Sequence, residues 1–212
     1  MIKISTVVEQ ILSNDEVGST ALARGVLNLS AYAKRIRKEV ETRTKKSVKP
    51  GAIVTALSRM SPGIKNMPRR IPDVSTKDIS LKTEIVELSY ERTAETISKL
   101  GMVQKVIERK APPSFMTTTV GVKEITVLVS AEFVEDIETI FSLTKPRLKL
   151  KDLVAITIHL ADNAISTPNI TYALLRRIAL KNINLVEIVS TYTELTFIVA
   201  RKDSAAVIEL FR

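Results

Sequence analysis

The run EITVLV at positions 124–129 returns as ELTFIV at positions 194–199. Both runs are rich in β-branched and apolar residues, which is typical of a strand inside a sheet. Phe141 and Phe211, at the ends of the helical patterns that follow the two runs, are separated by the same interval. Because one spacing covers a strand and the helix after it, we predict that the last two thirds of the chain repeat one unit.

The repeated unit is predicted to run β-α-β-β-α, with its first strands starting near Ile79 and Leu153, about four residues beyond the common offset. Such units place their helices on one face of an antiparallel sheet. We therefore expect an α+β fold with two ferredoxin-like βαββα(β) units, residues 77–151 and 152–212. The predicted strands are 79–88, 103–108, 124–130, 153–160, 184–190 and 194–200, and the predicted helices are 90–100, 132–141, 168–180 and 203–211.

A missing strand suggests self-association. The second unit has no residues of its own for a fourth strand, whereas residues 145–151 could supply one to the first unit. An open sheet edge has to be paired or covered. We therefore expect a homodimer formed through these units.

The first third of the chain has the period of helices. We predict a small, basic, helix-turn-helix-like domain at 1–61, with helices near 4–12, 16–27 and 31–45 and a last one opened by Pro50. Ser30 is predicted to cap the third helix after a short turn. Residues 62–76 contain Pro and Gly breakers and are predicted to be a linker.

Positive charge is concentrated in the same part of the chain. Residues 1–70 hold 14 Lys and Arg against 5 acids, a net charge of +9, and residues 71–212 hold 18 of each. This asymmetry indicates a polyanion-binding segment, with residues 30–43 entering a DNA groove and other cations contacting phosphates. A plain solvated basic surface remains the alternative. The nucleic-acid-binding residues are predicted to be Lys34, Arg35, Arg37, Lys38, Arg43, Lys45, Lys46 and Lys49.

The second unit carries three local features in sequence order. A polar loop ends in Thr167-Pro168-Asn169-Ile170 before a helix; Asn182-Ile183-Asn184-Leu185 follows that helix; and a hydroxyl-rich turn with Glu194 opens the last strand. This pattern resembles an ACT domain of the aspartokinase type. The likeness covers residues 153–212 well and extends to the first unit through the repeat.

The resemblance implies binding of a small effector, an amino acid, between the loop and the second strand, often where two ACT units meet. The family usually has Gly where this chain has Asn169, a residue that adopts the left-handed conformation less freely. The first unit has only the short Ser89-Tyr90-Glu91-Arg92 stretch at this place, and we do not expect it to bind a ligand in the manner of the family. The ligand-binding residues carried over are Ser166, Thr167, Asn169, Ile170, Thr171, Glu187, Ser190 and Glu194.

A purely structural interpretation of the same loop is also open. Thr167 would cap the helix, Pro168 would occupy its first position, and Glu194 would belong to a tight turn.

An acid is needed to pair with the ammonium group of an amino acid, and Glu187 and Asp162 are the available ones.

Composition excludes several kinds of protein. With no Cys and a single His, His159, thiolate and histidine metal centres are absent, and six Gly form no phosphate-binding loop. We expect no cofactor, no catalytic residues, no secretory signal and no membrane span, and we expect a cytoplasmic protein.

Taken with the resemblance and the basic segment, the sequence predicts a non-enzymatic, amino-acid-sensing regulator that binds DNA. The alternative is a regulatory or assembly subunit that docks on an amino-acid biosynthetic enzyme.

Overall fold

The computed structural model describes residues 2–65, 71–74, 76–110 and 115–212, with the backbone only at 61–65. The chain divides into two compact units, residues 1–69 and 70–212, and each unit is described by itself. Residues 111–114, a few positions after the predicted strand 103–108, lie outside the described residues.

Four helices form the N-terminal unit. They are α1 (Ile4–Ser13), α2 (Glu16–Ala23), α3 (Leu29–Thr44) and α4 (Pro50–Lys65). Aliphatic side chains from all four meet in one core around Val8, Leu22, Val40, Ile53 and Leu57, each almost completely buried. Helical periodicity in the sequence thus reflects a shared apolar centre.

The turn between α2 and α3 differs from the prediction. Helix α2 ends at Ala23 instead of residue 27, and Gly25 follows with a φ of 72°, the left-handed geometry that ends helices. Asn28 caps α3, because its Oδ1 accepts the Ala31 N–H at 3.0 Å, and Ser30 is already helical. Helix α4 continues to Lys65, so residues 62–65, which fall within the predicted linker, are helical.

The second unit is built on one six-stranded antiparallel sheet, in the order β2-β3-β1-β4-β6-β5. Three short 3₁₀ turns, Ala131–Phe133, Asp162–Ser166 and Arg201–Asp203, precede α6, α7 and α8. The elements are β1 (Thr76–Glu91), α5 (Ala94–Lys110), β2 (Met116–Val120), β3 (Glu124–Ser130), α6 (Val134–Ile140), β4 (Leu148–Leu160), α7 (Ile170–Ala179), β5 (Glu187–Ser190), β6 (Glu194–Ala200) and α8 (Ser204–Glu209).

All four helices of this unit cover one face of the sheet. In β1, Leu88 and Tyr90 pack with α5 and α6, and in β4, Ile156 and Ile158 pack with α7 and α8. The alternate residues of each strand point to the opposite, helix-free face. The predicted α+β fold class is confirmed.

One predicted strand is wrong. Residues 103–108 lie inside α5, where Val103 and Ile107 are four positions apart and both face the sheet. Their β-branched side chains favour a strand, but packing at helical spacing decides the outcome. The second strand of the first repeat is β2, which contains three consecutive threonines, Thr117–Thr119. The helix predicted at 90–100 begins only at Ala94, because β1 continues to Glu91.

The two repeats complete each other through shared strands. The first half of β1 pairs with the second half of β4, from Thr76 opposite Leu160 to Lys82 opposite Ala155, and so forms the fourth strand of the second repeat. Residues 148–150 pair with 87–89 and do the same for the first repeat. The predicted border between 151 and 152 therefore falls inside one strand. The open edge from which we inferred a dimer is filled within the chain.

A bulge near the middle of both long strands makes this sharing possible. Glu84 and Asp152 each have a φ of 58°, and the β1–β4 register shifts between Lys82 and Ile85. The bulge reverses the alternation of side chains along the strand. Each half of the strand can therefore turn its apolar residues toward the helices that it packs against. Ile85 lies opposite Ser130 and Leu153 lies opposite Ala200, the last residues of β3 and β6, so Ile85 and Leu153 are equivalent positions in the repeats. The first strands are therefore offset by slightly less than the interval from 124 to 194, and not by more as predicted.

Candidate functional site

The loop after β4 is held in a defined conformation. The 3₁₀ turn Asp162–Ser166 follows the strand, and α7 begins at Ile170 with Asn169 as its N-cap. Asn169 has a φ of 68° and a ψ of 13°, so it adopts the left-handed conformation in which the resembled family places Gly. Asn is one of the few residues that tolerate this geometry.

The N-terminus of α7 is not capped by the side chain of its own N-cap residue. The hydroxyls of Ser166 and Thr167 donate to the Asn163 carbonyl, at 3.0 and 2.8 Å, and Asn169 makes no capping hydrogen bond to the helix. The purely structural interpretation of this loop is therefore wrong in its central point, because Thr167 does not cap α7. Pro168 also lies in the turn before the helix and not at its first position.

The corresponding loop of the first repeat is closed. Thr93 Oγ1 accepts the Thr96 N–H at 3.1 Å, and Thr96 Oγ1 accepts the Thr93 N–H at 2.8 Å. This reciprocal pair satisfies two backbone groups at the start of α5. The two repeats thus differ here, because a hydroxyl pair caps α5 whereas the N-cap residue of α7 makes no capping hydrogen bond with its side chain.

The strand residues predicted to bind the ligand divide into two groups. Glu194 pairs with His159 at the end of β4, and Ser190 pairs with Leu195, so both lie at the loop end of the sheet. Glu187 is opposite Ile198, three residues further along β5 and on the helix-free face. The structure brings Ser190 and Glu194 to the loop end, and it places Glu187 nearer the middle of the sheet.

Acidic side chains near the loop already have partners. The Glu194 carboxylate lies 3.5 Å from His159 Nδ1 and accepts a 3.4 Å hydrogen bond from Thr191. Asp162 pairs with Lys77 at 2.9 Å. A ligand ammonium would therefore compete with, or join, these contacts.

A groove of about 470 Å³ lies between the start of β1 and the end of α8. Its lining includes Lys77, Asp78 and Phe211, and none of the eight residues predicted to bind a ligand. Within the part of the chain that the structure describes, no group of three or more His, Asp or Glu side chains is placed to hold a metal ion. The described helices are also too short or too polar to cross a membrane.

The eight residues predicted to bind nucleic acid are all exposed, and they lie on α3 or in the loop after it. Arg35 is bound to Asp15 and lies 4.7 Å above the ring of Tyr32, whose hydroxyl donates to Asp15 at 2.9 Å. Burial alone would raise the pKa of Asp15, but the hydrogen bonds from Gly18, Tyr32 and Arg35 outweigh it and lower that pKa. This cluster fastens α2 to α3, so Arg35 has a structural partner.

The other two arginines among the eight predicted residues are also paired. Arg37 binds Glu41 at 3.1 Å, and Arg43 binds Glu39. Among the residues that the structure describes, the five lysines of the predicted set form no ion pair. They are Lys34, Lys38, Lys45, Lys46 and Lys49.

One notable carboxyl was not singled out from the sequence. Glu87 is only 5% exposed, and its Oε2 has no hydrogen-bond partner among the described residues. Burial raises the pKa of Glu87, and the negative charge of Glu187 adds to that rise. The only sequence signal was an acid in an otherwise apolar strand, which fits a solvated outward position equally well.

No family model matches the chain, and no curated protein matches it. Solved structures do. Aspartate kinase from Clostridium acetobutylicum has a TM-score of 0.54 at 13% identity, over 66% of this chain and 35% of that one. The ligand-free regulatory subunit of aspartate kinase from Thermus thermophilus has a TM-score of 0.51 at 13% identity, over 66% of this chain and 97% of that subunit.

A third match is E. coli aspartokinase III in complex with aspartate and ADP, with a TM-score of 0.51 at 10% identity, over 65% of this chain and 33% of that one. The aligned part of the chain thus spans about a third of each whole kinase and nearly all of the regulatory subunit. At these identities the likeness shows a common fold. That fold is the one found in the regulatory part of aspartate kinases.

Proposed function

We propose that residues 70–212 form an amino-acid-sensing regulatory unit with two ACT-type repeats, and that the effector binds at the loop before α7. The observation that carries the proposal is the N-terminus of α7, whose N-cap residue, Asn169, is left-handed and makes no capping hydrogen bond with its side chain. The likeness to a separate regulatory subunit of aspartate kinase supports a regulatory role over a catalytic one.

The chemistry of the loop suits the carboxylate of an amino acid. The first turn of a helix has backbone N–H groups without helical partners and a partial positive charge, both of which favour an anion. Ile170 and Thr171 carry such N–H groups. Ser190 and Glu194 lie at the same end of the sheet and offer oxygens to the ammonium group.

A thermal-shift screen against the twenty amino acids tests this proposal. A ligand that binds only the folded state raises Tm, with about 2.7 kcal/mol of stabilisation at a hundredfold excess over its Kd. We expect Asn169→Gly to keep the shift and Asn169→Val to lose it, because a β-branched residue resists a positive φ. The matched control is Thr93→Val at the capped loop of the first repeat, which should lower Tm but leave the shift unchanged.

No shift with any amino acid would contradict the proposal and favour repeats that serve only for association. A shift that survives Asn169→Val would place the effector elsewhere in the molecule. The groove beside Lys77 and Asp78 would then be the next place to test.

A second function is favoured by the N-terminal unit. We propose that its five lysines without ion pairs contact DNA phosphates, which would make the protein a ligand-responsive DNA-binding regulator. Each phosphate contact adds about 0.9 to the slope of log affinity against log salt. Lys34→Gln and Lys38→Gln should each reduce that slope in fluorescence anisotropy with duplex DNA.

Arg37→Gln is the matched control, because Glu41 already neutralises this arginine. It should change the slope less than either lysine variant. Absence of a saturable complex at physiological salt would count against DNA binding. It would favour the docking of this protein on an amino-acid biosynthetic enzyme.

A further inference from the structure

The helix-free face of the sheet contains an unusual mixture of groups. Ile85, Leu128 and Ile198 form a buried apolar cluster there. Glu87 lies on the same face, because its neighbours Val86 and Leu88 pack under the helices. A carboxyl is thus placed beside an apolar cluster.

The contacts of Glu87 leave one oxygen without a partner. Its Oε1 accepts a long hydrogen bond of 3.4 Å from Ser89, whose hydroxyl lies 3.0 Å from Thr126 Oγ1. Its Oε2 has no partner in the described part of the chain, although the residue is only 5% exposed. A buried carboxylate in this state is costly unless a positive charge joins it.

Neighbouring strands supply no such charge. Across β3 the residues that face Glu87 are Leu128 and Thr126, and across β4 the residue opposite is Leu150. The charged group close enough to affect its pKa is another acid, Glu187. Among the described residues, the groups around Glu87 are therefore oxygen atoms and apolar side chains, with no cation.

The second repeat shows that the fold itself does not need this carboxyl. Thr157 and Thr196 repeat the hydroxyl pair of Ser89 and Thr126, at 2.8 Å. With Ile85 and Leu153 as equivalent positions, the counterpart of Glu87 is Ala155, a small apolar residue. One repeat thus packs the same face with no acid, and the acid of the other repeat is an added feature.

We propose that Glu87, with Ser89 and Thr126, forms a binding site for a compact monovalent cation of the ammonium or potassium type. Carboxylate and hydroxyl oxygens are hard ligands, and they also accept hydrogen bonds from N–H donors. The site has one buried carboxylate, two hydroxyls and no His, so a single positive charge neutralises it and a transition metal does not suit it. It is separate from the loop before α7 and does not depend on the amino-acid site.

Thermal unfolding in matched salts tests the site. Tm is first measured at pH 7.5 in tetramethylammonium chloride, because the tetramethylammonium ion is too large for the site and has no N–H donor. It is then measured with potassium or ammonium chloride in place of that salt, at constant ionic strength. We expect a saturable rise of about 2 °C or more with at least one of the two small cations. Glu87→Gln should abolish the rise, and Ser89→Ala should weaken the apparent affinity several-fold.

Glu132→Gln is the control, because it removes one exposed negative charge outside the sheet and should keep the full rise. An equal rise in Glu87→Gln would show a general salt effect and overturn the proposal. The proposal would also be overturned if Tm did not change with the cation but rose as the pH fell, and did so only in proteins that keep Glu87. Glu87 would then hold a proton and no cation.

Discussion

Glu87 has a consequence for the pH dependence of stability. Burial and the charge of Glu187 raise its pKa in the folded state above that of the unfolded chain. In the window between the two pKa values the folded state binds more protons, so the free energy of unfolding falls as the pH rises through that window. We expect this decline in urea titrations from about pH 4.5 upward, in tetramethylammonium buffers without small cations.

Glu87→Gln removes the titrating group and should flatten this part of the profile. Glu132→Gln should leave the profile unchanged, since its carboxyl is exposed. A decline that is the same in all three proteins would assign the pH dependence to other groups.

Tyr90 contains the other buried side-chain polar atom that lacks a partner among the described residues. Its ring stacks on Phe141 at 4.1 Å, and its hydroxyl makes no hydrogen bond among the described residues. Burial raises its pKa to about 12, so the phenol is neutral. Tyr90→Phe keeps the stacking and deletes an unpaired hydroxyl, so chemical denaturation should show equal stability or a gain of up to about 1 kcal/mol.

Tyr32→Phe is the opposite case in the N-terminal unit. The Tyr32 hydroxyl donates to Asp15 at 2.9 Å, and its loss should cost about 1–2 kcal/mol. If Tyr90→Phe is as costly as Tyr32→Phe, the Tyr90 hydroxyl has a hydrogen-bond partner after all.

Single residues were predictable where local chemistry decides them. Asn169 was expected to stand in for Gly, and the structure gives it a positive φ. The partners of Thr167 and the burial of Glu87 were not predictable, because they depend on which strands lie side by side. An acid in a strand looks the same in the sequence whether its face is open or covered.

Among the elements, the strand bulges carry the clearest prediction. Glu84 has a φ of 58° in the middle of β1, where a residue with a Cβ is strained by about 1–2 kcal/mol. Glu84→Gly should be neutral or stabilising by up to about 1 kcal/mol, whereas Glu84→Val should cost at least about 1 kcal/mol. Urea denaturation of the two variants measures the difference.

Lys82→Val tests the same substitution outside the bulge, two residues earlier in β1. The position is exposed and regular, and a β-branched residue suits it, so the change should stay within about 0.5 kcal/mol. Equal costs at Lys82 and Glu84 would mean that the positive φ carries no strain.

Element types followed from the sequence where packing and propensity agree, as in β3 and β6. They failed at Val103–Ile107, where β-branched residues lie in a helix because their spacing fits the sheet beneath it. The sharing of strands was missed for a different reason. Nothing in a local pattern shows that Thr76–Lys82 pairs with the strand of the other repeat.

For the whole molecule, the structure changes the argument for a dimer. Both fourth strands come from within the chain, and the edges of the sheet are β2 and β5. We still predict a homodimer, now through the β5 edge, where Ile188 is 40% exposed. Sedimentation at micromolar concentration should give the dimer mass, and Ile188→Lys should shift it toward the monomer, because a charge blocks edge pairing.

Val122→Lys is the matched control for that experiment, since Val122 is exposed in the turn between β2 and β3 and belongs to neither edge strand. It should keep the dimer. A monomer mass for the unaltered chain would contradict the prediction directly.

Shared strands also determine which fragments can fold. Residues 70–212 contain both repeats with every strand pairing, whereas residues 152–212 lose the first four residues of β4 and the whole of β1. The isolated second repeat would expose the β4 edge and the apolar side chains beside it, so we expect fragment 152–212 to be unfolded. Fragment 70–212 should unfold cooperatively, as measured by circular dichroism and amide NMR dispersion. A cooperative transition in fragment 152–212 would show instead that each repeat is an independent domain and that β1 only docks on a finished fold.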